Sequence, residues 1–141
     1  MSRTSDVYIE PCDRASDANT WNADVFVSVH ANATTNTSTR GTEAINPNNH
    51  DISQSSSLAI YIHNQLTKRY PASPRGVYQD RRNLCVLRNT AMPDTLVELL
   101  YLSNSQDLNL LKSSSERDWM AYYIYQGIKN WWCDGNACEW N

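Results

Sequence analysis

Glycine is scarce in this 141-residue chain, with four residues, and phenylalanine occurs once. No Gly-x-Ser-x-Gly turn is present, which argues against a serine hydrolase built on a nucleophile elbow. No Cys-x-x-Cys pair occurs, so a four-cysteine zinc site is not expected. Basic residues are outnumbered: 12 Lys and Arg face 15 Asp and Glu, for a formal charge of −3. A general nucleic-acid or anionic-membrane binder would carry a basic stripe, and none is visible. The longest apolar run is a handful of residues, too short to span a bilayer. No basic start leads into an apolar stretch, so no signal peptide is visible. Internal repeats and long linkers are missing too, and residues 1–141 read as a single domain.

What is present suits a globular core. Hydrophobic residues make up 40% of the chain, enough for one core at this length. The four cysteines are Cys12, Cys85, Cys133 and Cys138. Cys133 and Cys138 flank a turn-like tetrapeptide, and a local disulfide between them fits a protein working outside the cytoplasm. Cys12 and Cys85 lie far apart and read as free thiols. Trp131, Trp132 and Trp140 gather near the C-terminus, either as a helix end packed on the core or as a stacking surface for sugar rings.

Along the chain, Asp13 opens a helix to about Asn22. Asp24-Val-Phe-Val-Ser-Val29 reads as a buried strand of the parallel type. A polar loop over 31–41 precedes a short strand, Thr42–Ile45, and residues 46–57 read as a mobile connection. Leu58, Ile62 and Leu66 predict a helix from about 58 to 70, capped by the serines at 55–57 and stopped by Pro71 and Pro74. Leu84–Leu87 and Leu96–Leu100 read as strands. A short helix to about Leu111 and a last one from Glu116 to about Asn130 follow. Strands alternating with helices predict an α/β fold, a mostly parallel β-sheet with helices on both faces.

Ligands of such sheets sit at the carboxyl ends of the strands, and two polar residues fall there. His30 closes the first strand. It is either a metal ligand steadied through its second ring nitrogen or a core histidine bonded to backbone. Glu98 interrupts the apolar run Leu96-Val97-Glu98-Leu99-Leu100. A charged glutamate there must meet donors or a cation, or keep its proton. Burial raises such a pKa, which suits a general base or acid; an ion pair with Arg88 or another arginine is the structural alternative. His63 reads as a surface residue on its helix, and His50 as a loop residue near Asp51.

These residues fall in a familiar order. Arg3-Thr4-Ser5-Asp6 precedes Arg14 and Ala18-Asn19. Ala23-Asp24-Val25-Phe26-Val27-Ser28-Val29-His30-Ala31-Asn32-Ala33 follows, then Gly41-Thr42-Glu43 and Ser57-Leu58-Ala59. Leu84-Cys-Val-Leu-Arg88 with Met92-Pro93 comes next. Leu96-Val97-Glu98 leads to Leu102-Ser103-Asn104 and Asp107, and Gly127-Ile128 sits in the last helix. In this order the chain resembles the zinc-dependent N-acetylmuramoyl-L-alanine amidases, the Amidase_3 family of peptidoglycan hydrolases.

The resemblance implies a three-layer sandwich of the phosphorylase/hydrolase type and cleavage of the bond between N-acetylmuramic acid and L-alanine of the stem peptide. It implies zinc as cofactor, with His30 a ligand and Glu98 the catalytic residue, and Asn32 and Arg88 as substrate-binding residues. Glu43 is expected to be structural. The implied partner is peptidoglycan, without nucleic acid or membrane insertion, and the implied place is the bacterial envelope, the exterior, or a phage-lysed host. The family's Gly-His-Gly strand and helix-opening Glu, which supply the other two zinc ligands, do not occur in this sequence. The chain therefore reads as a domain whose N-terminal strand and zinc-binding motif are missing, expected to hold zinc weakly or not at all. A non-catalytic peptidoglycan-binding or regulatory module on the same scaffold is the alternative.

Overall fold

The strand that carries Glu98 lies inside the sheet, not at its rim. A computed structural model describes residues 1–48 and 52–134. Its elements are α1 (Pro11–Thr20), β1 (Phe26–Asn32), β2 (Thr42–Asn46), α2 (Ile52–Leu66), β3 (Ala72–Gln79), α3 (Cys85–Arg88), β4 (Asp94–Tyr101), α4 (Ser105–Lys112) and α5 (Ser114–Cys133). The four strands run in the order β1-β4-β2-β3. β1 is parallel to β4 and β2 to β3, while β2 and β4 are antiparallel. The expected α/β architecture is therefore present, with one antiparallel pairing at its centre.

Each sheet face has its own apolar layer. Leu58, Ile62 and Leu66 of α2 pack with Met120 of α5 against Val97 and Leu100, with Val25 and Val27 of β1 alongside. All three α2 residues are fully buried, each contributing roughly 2 kcal/mol of apolar transfer. On the opposite face Val86 and Leu87 of α3 meet Ile45 and Leu96, with Phe26 and Tyr78 beside them. α3 is only four residues long, so it covers part of that face and no more.

Several local expectations are corrected. Leu84–Leu87, read as a strand, is the entry and body of α3; a short apolar run does not distinguish strand from buried helix. β3 escapes sequence reading because Pro74 and Gly76 resemble loop punctuation. α2 begins at Ile52 inside the stretch taken as a mobile connection. Ser55 is thus not its cap: it is buried within the helix and donates to Asp94 Oδ1 at 2.9 Å. α4 is capped by Asn104, between the two serines at 103 and 105, and α5 by Ser113. His63 is buried, with its Nε2 3.2 Å from the Thr42 carbonyl; the buried face of α2 is wider than the 58/62/66 stripe suggests. Cys12 and Cys85 are not free thiols but form a disulfide that ties α1 to α3. Cys133 is also disulfide-bonded, and its expected partner Cys138, like Trp140 and His50, lies outside the described residues. Trp131 packs against the first apolar layer, whereas Trp132 is 43% exposed.

Gly127 sets how closely α5 approaches α2. A Cβ there would stand 2.5 Å from the Ile62 Cα and 2.9 Å from its backbone nitrogen, against about 3.5–4.0 Å for a normal carbon contact. Backbone cannot yield as a flexible side chain would. Gly127→Ala is expected to cost about 2 kcal/mol, despite alanine's better helix propensity, and to lower the Tm by roughly 6 °C in calorimetry. An unchanged Tm would show that the two helices slide apart freely.

Candidate active site

Side chains on a strand alternate between faces. Phe26, Ser28, His30 and Asn32 of β1 therefore share the α3 face, as do Leu96 and Glu98 of β4 and Glu43 and Ile45 of β2. Phe26, Leu96 and Ile45 pack in the layer with α3. Beyond α3 the same rows continue as His30, Glu98 and Glu43. The three are aligned across the sheet, His30 opposite Glu98 and Glu98 opposite Glu43. The polar residues at the ends of β1 and β4 thus lie on the α3 face but beyond α3 itself, His30 exposed and Glu98 buried.

His30 is exposed, and its Nε2 lies 2.9 Å from the Ser28 hydroxyl. The contact fixes the ring and leaves Nδ1 as the second nitrogen. Partial burial, aided by the charges of Arg14 and Arg82, holds its pKa below the usual histidine value. The imidazole is accordingly neutral at pH 7, the form that can donate a lone pair.

Glu98 is 7% exposed, and its Oε2 has no hydrogen-bond partner among the described residues. Burial raises its pKa; the charges of Arg82 and Arg75 oppose the rise and that of Glu43 adds to it. Arg88 stands elsewhere, at the end of α3, where it donates to Asn89 Oδ1 and approaches Cys85 Sγ. Asn32 is tied into the site differently: its amide donates to Glu43 Oε2 at 3.3 Å and its own Oδ1 accepts from the Ala33 amide.

Glu43, expected to be structural, holds the polar network beside Glu98 together. It is fully buried, yet its carboxylate gathers groups from three other strands. Ser73 at 2.5 Å, Tyr78 at 3.0 Å and Tyr101 donate hydroxyls, and Arg75 donates from Nη2 at 2.7 Å. Burial alone would raise its pKa, but these hydroxyl donors and the Arg75 charge bring it below the usual carboxylate range. A carboxylate with a depressed folded pKa adds stability that is fully present above its unfolded pKa and is lost as pH falls through the folded one. Glu43→Gln is expected to destabilise the protein by about 2 kcal/mol at pH 7 and by less at pH 3, where the unfolded chain is already protonated. Urea midpoints at the two pH values read this directly, and equal losses at both would assign the effect to shape alone. The sequence signal was available: Glu43 sits in a short apolar strand just as Glu98 does.

The donor chemistry of this face supplies only part of a zinc site. His30 offers a neutral imidazole and Glu98 an unpartnered carboxylate oxygen on the same face. A catalytic zinc takes three protein ligands, and among the described residues no three His, Cys, Asp or Glu side chains converge. The described donors do not complete such a site.

Comparison with known proteins extends nearly end to end. Residues 1–130 match the Amidase_3 family, described as N-acetylmuramoyl-L-alanine amidase. An endolysin of Bacillus phage SPP1 is 39% identical over 132 residues, covering 91% of this chain and 47% of that protein. The N-acetylmuramoyl-L-alanine amidase LytC of Bacillus subtilis is 29% identical, covering 94% of this chain and 26% of that protein. The chain thus spans about a quarter to a half of these relatives. Among solved structures, an N-acetylmuramoyl-L-alanine amidase from Clostridium difficile 630 superposes with a TM-score of 0.84 at 31% identity, over 93% of this chain and 69% of that one.

Proposed function

The chain belongs to the N-acetylmuramoyl-L-alanine amidase family, and on that premise we propose that its protein is a peptidoglycan hydrolase. Its substrate is the amide that joins the lactyl group of N-acetylmuramic acid to L-alanine of the stem peptide. The observation that carries this reading is Glu98: a nearly buried carboxylate with one oxygen unpartnered among the described residues, in register with His30 on the same sheet face.

Glu98 acts as the proton carrier. Its carboxylate takes a proton from the attacking water as the water oxygen bonds to the carbonyl carbon. The acid then gives that proton to the amide nitrogen as the C–N bond breaks. A lactyl carboxylate and the free amine of L-alanine result. Partial desolvation suits both halves, because a raised pKa brings the group nearer the working pH. Ser28 holds the His30 ring. Zinc is the cofactor the family implies; it polarises a carbonyl and acidifies water when bound. His30 would be one ligand, and the described donors fall short of a full set.

The place of action is the bacterial cell wall, outside the reducing cytoplasm. Two features support this: the Cys12–Cys85 disulfide and relatives named as an endolysin and as cell wall amidases. Among the described residues no helix is long and apolar enough to cross a membrane.

The test is digestion of purified peptidoglycan by the full-length protein, scored as newly freed L-alanine amino groups. Release that a chelator abolishes and zinc restores supports the reading. Binding to the wall with no amine released overturns it in favour of a wall-binding module.

A further inference from the structure

β3 is built around a bulge that serves one side chain. Between the pairs Thr42–Ala72 and Ala44–Val77, β2 advances two residues while β3 advances five. The extra length lies in Ser73-Pro74-Arg75-Gly76, and Gly76 takes a φ of +56°, a backbone state that glycine tolerates best. Bulges re-aim side chains and are common beside active sites. Here the bulge turns both Ser73 and Arg75 toward Glu43.

Arg75 is thereby held at several points. Its Nη2 lies 2.7 Å and its Nε 3.3 Å from the Glu43 carboxylate, and Nη2 is 3.5 Å from the Tyr101 hydroxyl. Its guanidinium lies over the Tyr78 ring, 4.7 Å from the centroid. Yet the side chain is 56% exposed while Glu43 beneath it is fully buried. Among the described residues Nη1 makes no hydrogen bond. A carboxylate offers about four acceptor positions, and Ser73, Tyr78, Tyr101 and Asn32 already supply four donors to Glu43. One edge of the guanidinium closes over Glu43 while the side chain as a whole stays more than half in solvent. Its charge and that of Arg82 both reach Glu98, so a chain with a formal charge of −3 presents cations around its candidate proton carrier.

We propose that Arg75 is a substrate-positioning residue whose exposed guanidinium edge takes a carboxylate carried by the peptide part of the substrate. The inference rests on the amidase reading above. A guanidinium fixed by a buried carboxylate and an aromatic ring loses little freedom on binding, and its planar fork matches a second carboxylate. Lysine, a point charge on a flexible stem, would reproduce the attraction without the orientation.

The test uses the full-length protein with Glu98→Gln, so that ligands are not consumed. Two soluble N-acetylmuramyl-L-alanyl peptides are titrated by calorimetry; they differ only in a carboxylate or a carboxamide on the residue after L-alanine. The carboxylate peptide is expected to bind about 10-fold more tightly. Adding Arg75→Gln should erase that preference while leaving carboxamide affinity within about twofold, and adding Arg75→Lys should reduce it partway. Arg75→Lys alone decides the matter if the glutamine variant does not fold. Equal weakening toward both peptides, or an untouched preference, overturns the assignment and leaves Arg75 as a structural partner of Glu43. Failure of both peptides to bind the Arg75 protein overturns the amidase reading and the inference with it.

Discussion

Glu98→Gln is expected to leave the full-length protein folded while lowering its amidase kcat by about 10²–10⁴-fold, the usual contribution of a positioned acid–base group. The change keeps the shape of the side chain and removes its ability to carry a proton. It should cost no stability, because Oε2 has no hydrogen-bond partner among the described residues to lose. Burial already disfavours the charged form, so a neutral amide relieves an electrostatic cost in the resting protein. The Tm of the variant should therefore equal or exceed that of the parent, a pattern expected where catalysis keeps a poorly compensated group in place. Release of L-alanine amino groups from purified peptidoglycan gives the rate, and calorimetry the stability. Activity within about threefold of the parent would move the proton-carrying role to another residue.

The second large effect is on stability. Cys12 and Cys85 close a loop across 73 residues of sequence, and on the chain-entropy account such a bridge contributes about 4 kcal/mol. Replacing both by alanine should lower the Tm by more than about 10 °C. The loss should be uneven. α1 has one fully buried side chain, Ala15, and is otherwise attached through Asn19, which bonds the Asn89 carbonyl and the Ala91 amide. Without the bridge, amides of α1 should exchange with solvent well before those of β4 or α2. Uniform exchange through α1, β4 and α2, or a Tm change of only a degree or two, would show that the bridge adds nothing to what packing already holds. Arg14 of α1 is one of the charges acting on His30, so loosening α1 also alters the surroundings of the site.

Sequence reading placed His30 and Glu98 on strands of the sheet; Glu98 does interrupt a buried strand, whereas β1, read as buried, is a rim strand in which only Ser28 is buried and His30 is exposed. The strands do align these two side by side. The long-range partners were harder. Nothing in local spacing links Cys12 to Cys85 or brings Ser73, Arg75 and Tyr78 to Glu43, since these contacts follow from strand order and from the β3 bulge. Arg88, chosen by motif, belongs to α3, whereas the arginines whose charge reaches Glu98 are Arg75 and Arg82. His63 misled because a wide buried helix face admits a polar residue that finds a carbonyl. Leu84–Leu87 misled because four apolar residues fit a strand or a helical turn equally well.

The two rims of the sheet are not alike. β3 forms one rim, interrupted by a proline, a glycine and the Ser73–Gly76 bulge, the devices that keep a strand from recruiting another. β1 forms the other, and Phe26–Asn32 contains no proline and no Lys, Arg, Asp or Glu. Its Val29 is half exposed, and a cleft of about 660 Å³ runs beside Val25–Val29 toward the first three residues of the chain. Any strand that joins this sheet, from whatever source, meets a closed border at β3 and a receptive one at β1. The sheet thus carries its strand-blocking devices at the border opposite the one where His30 stands.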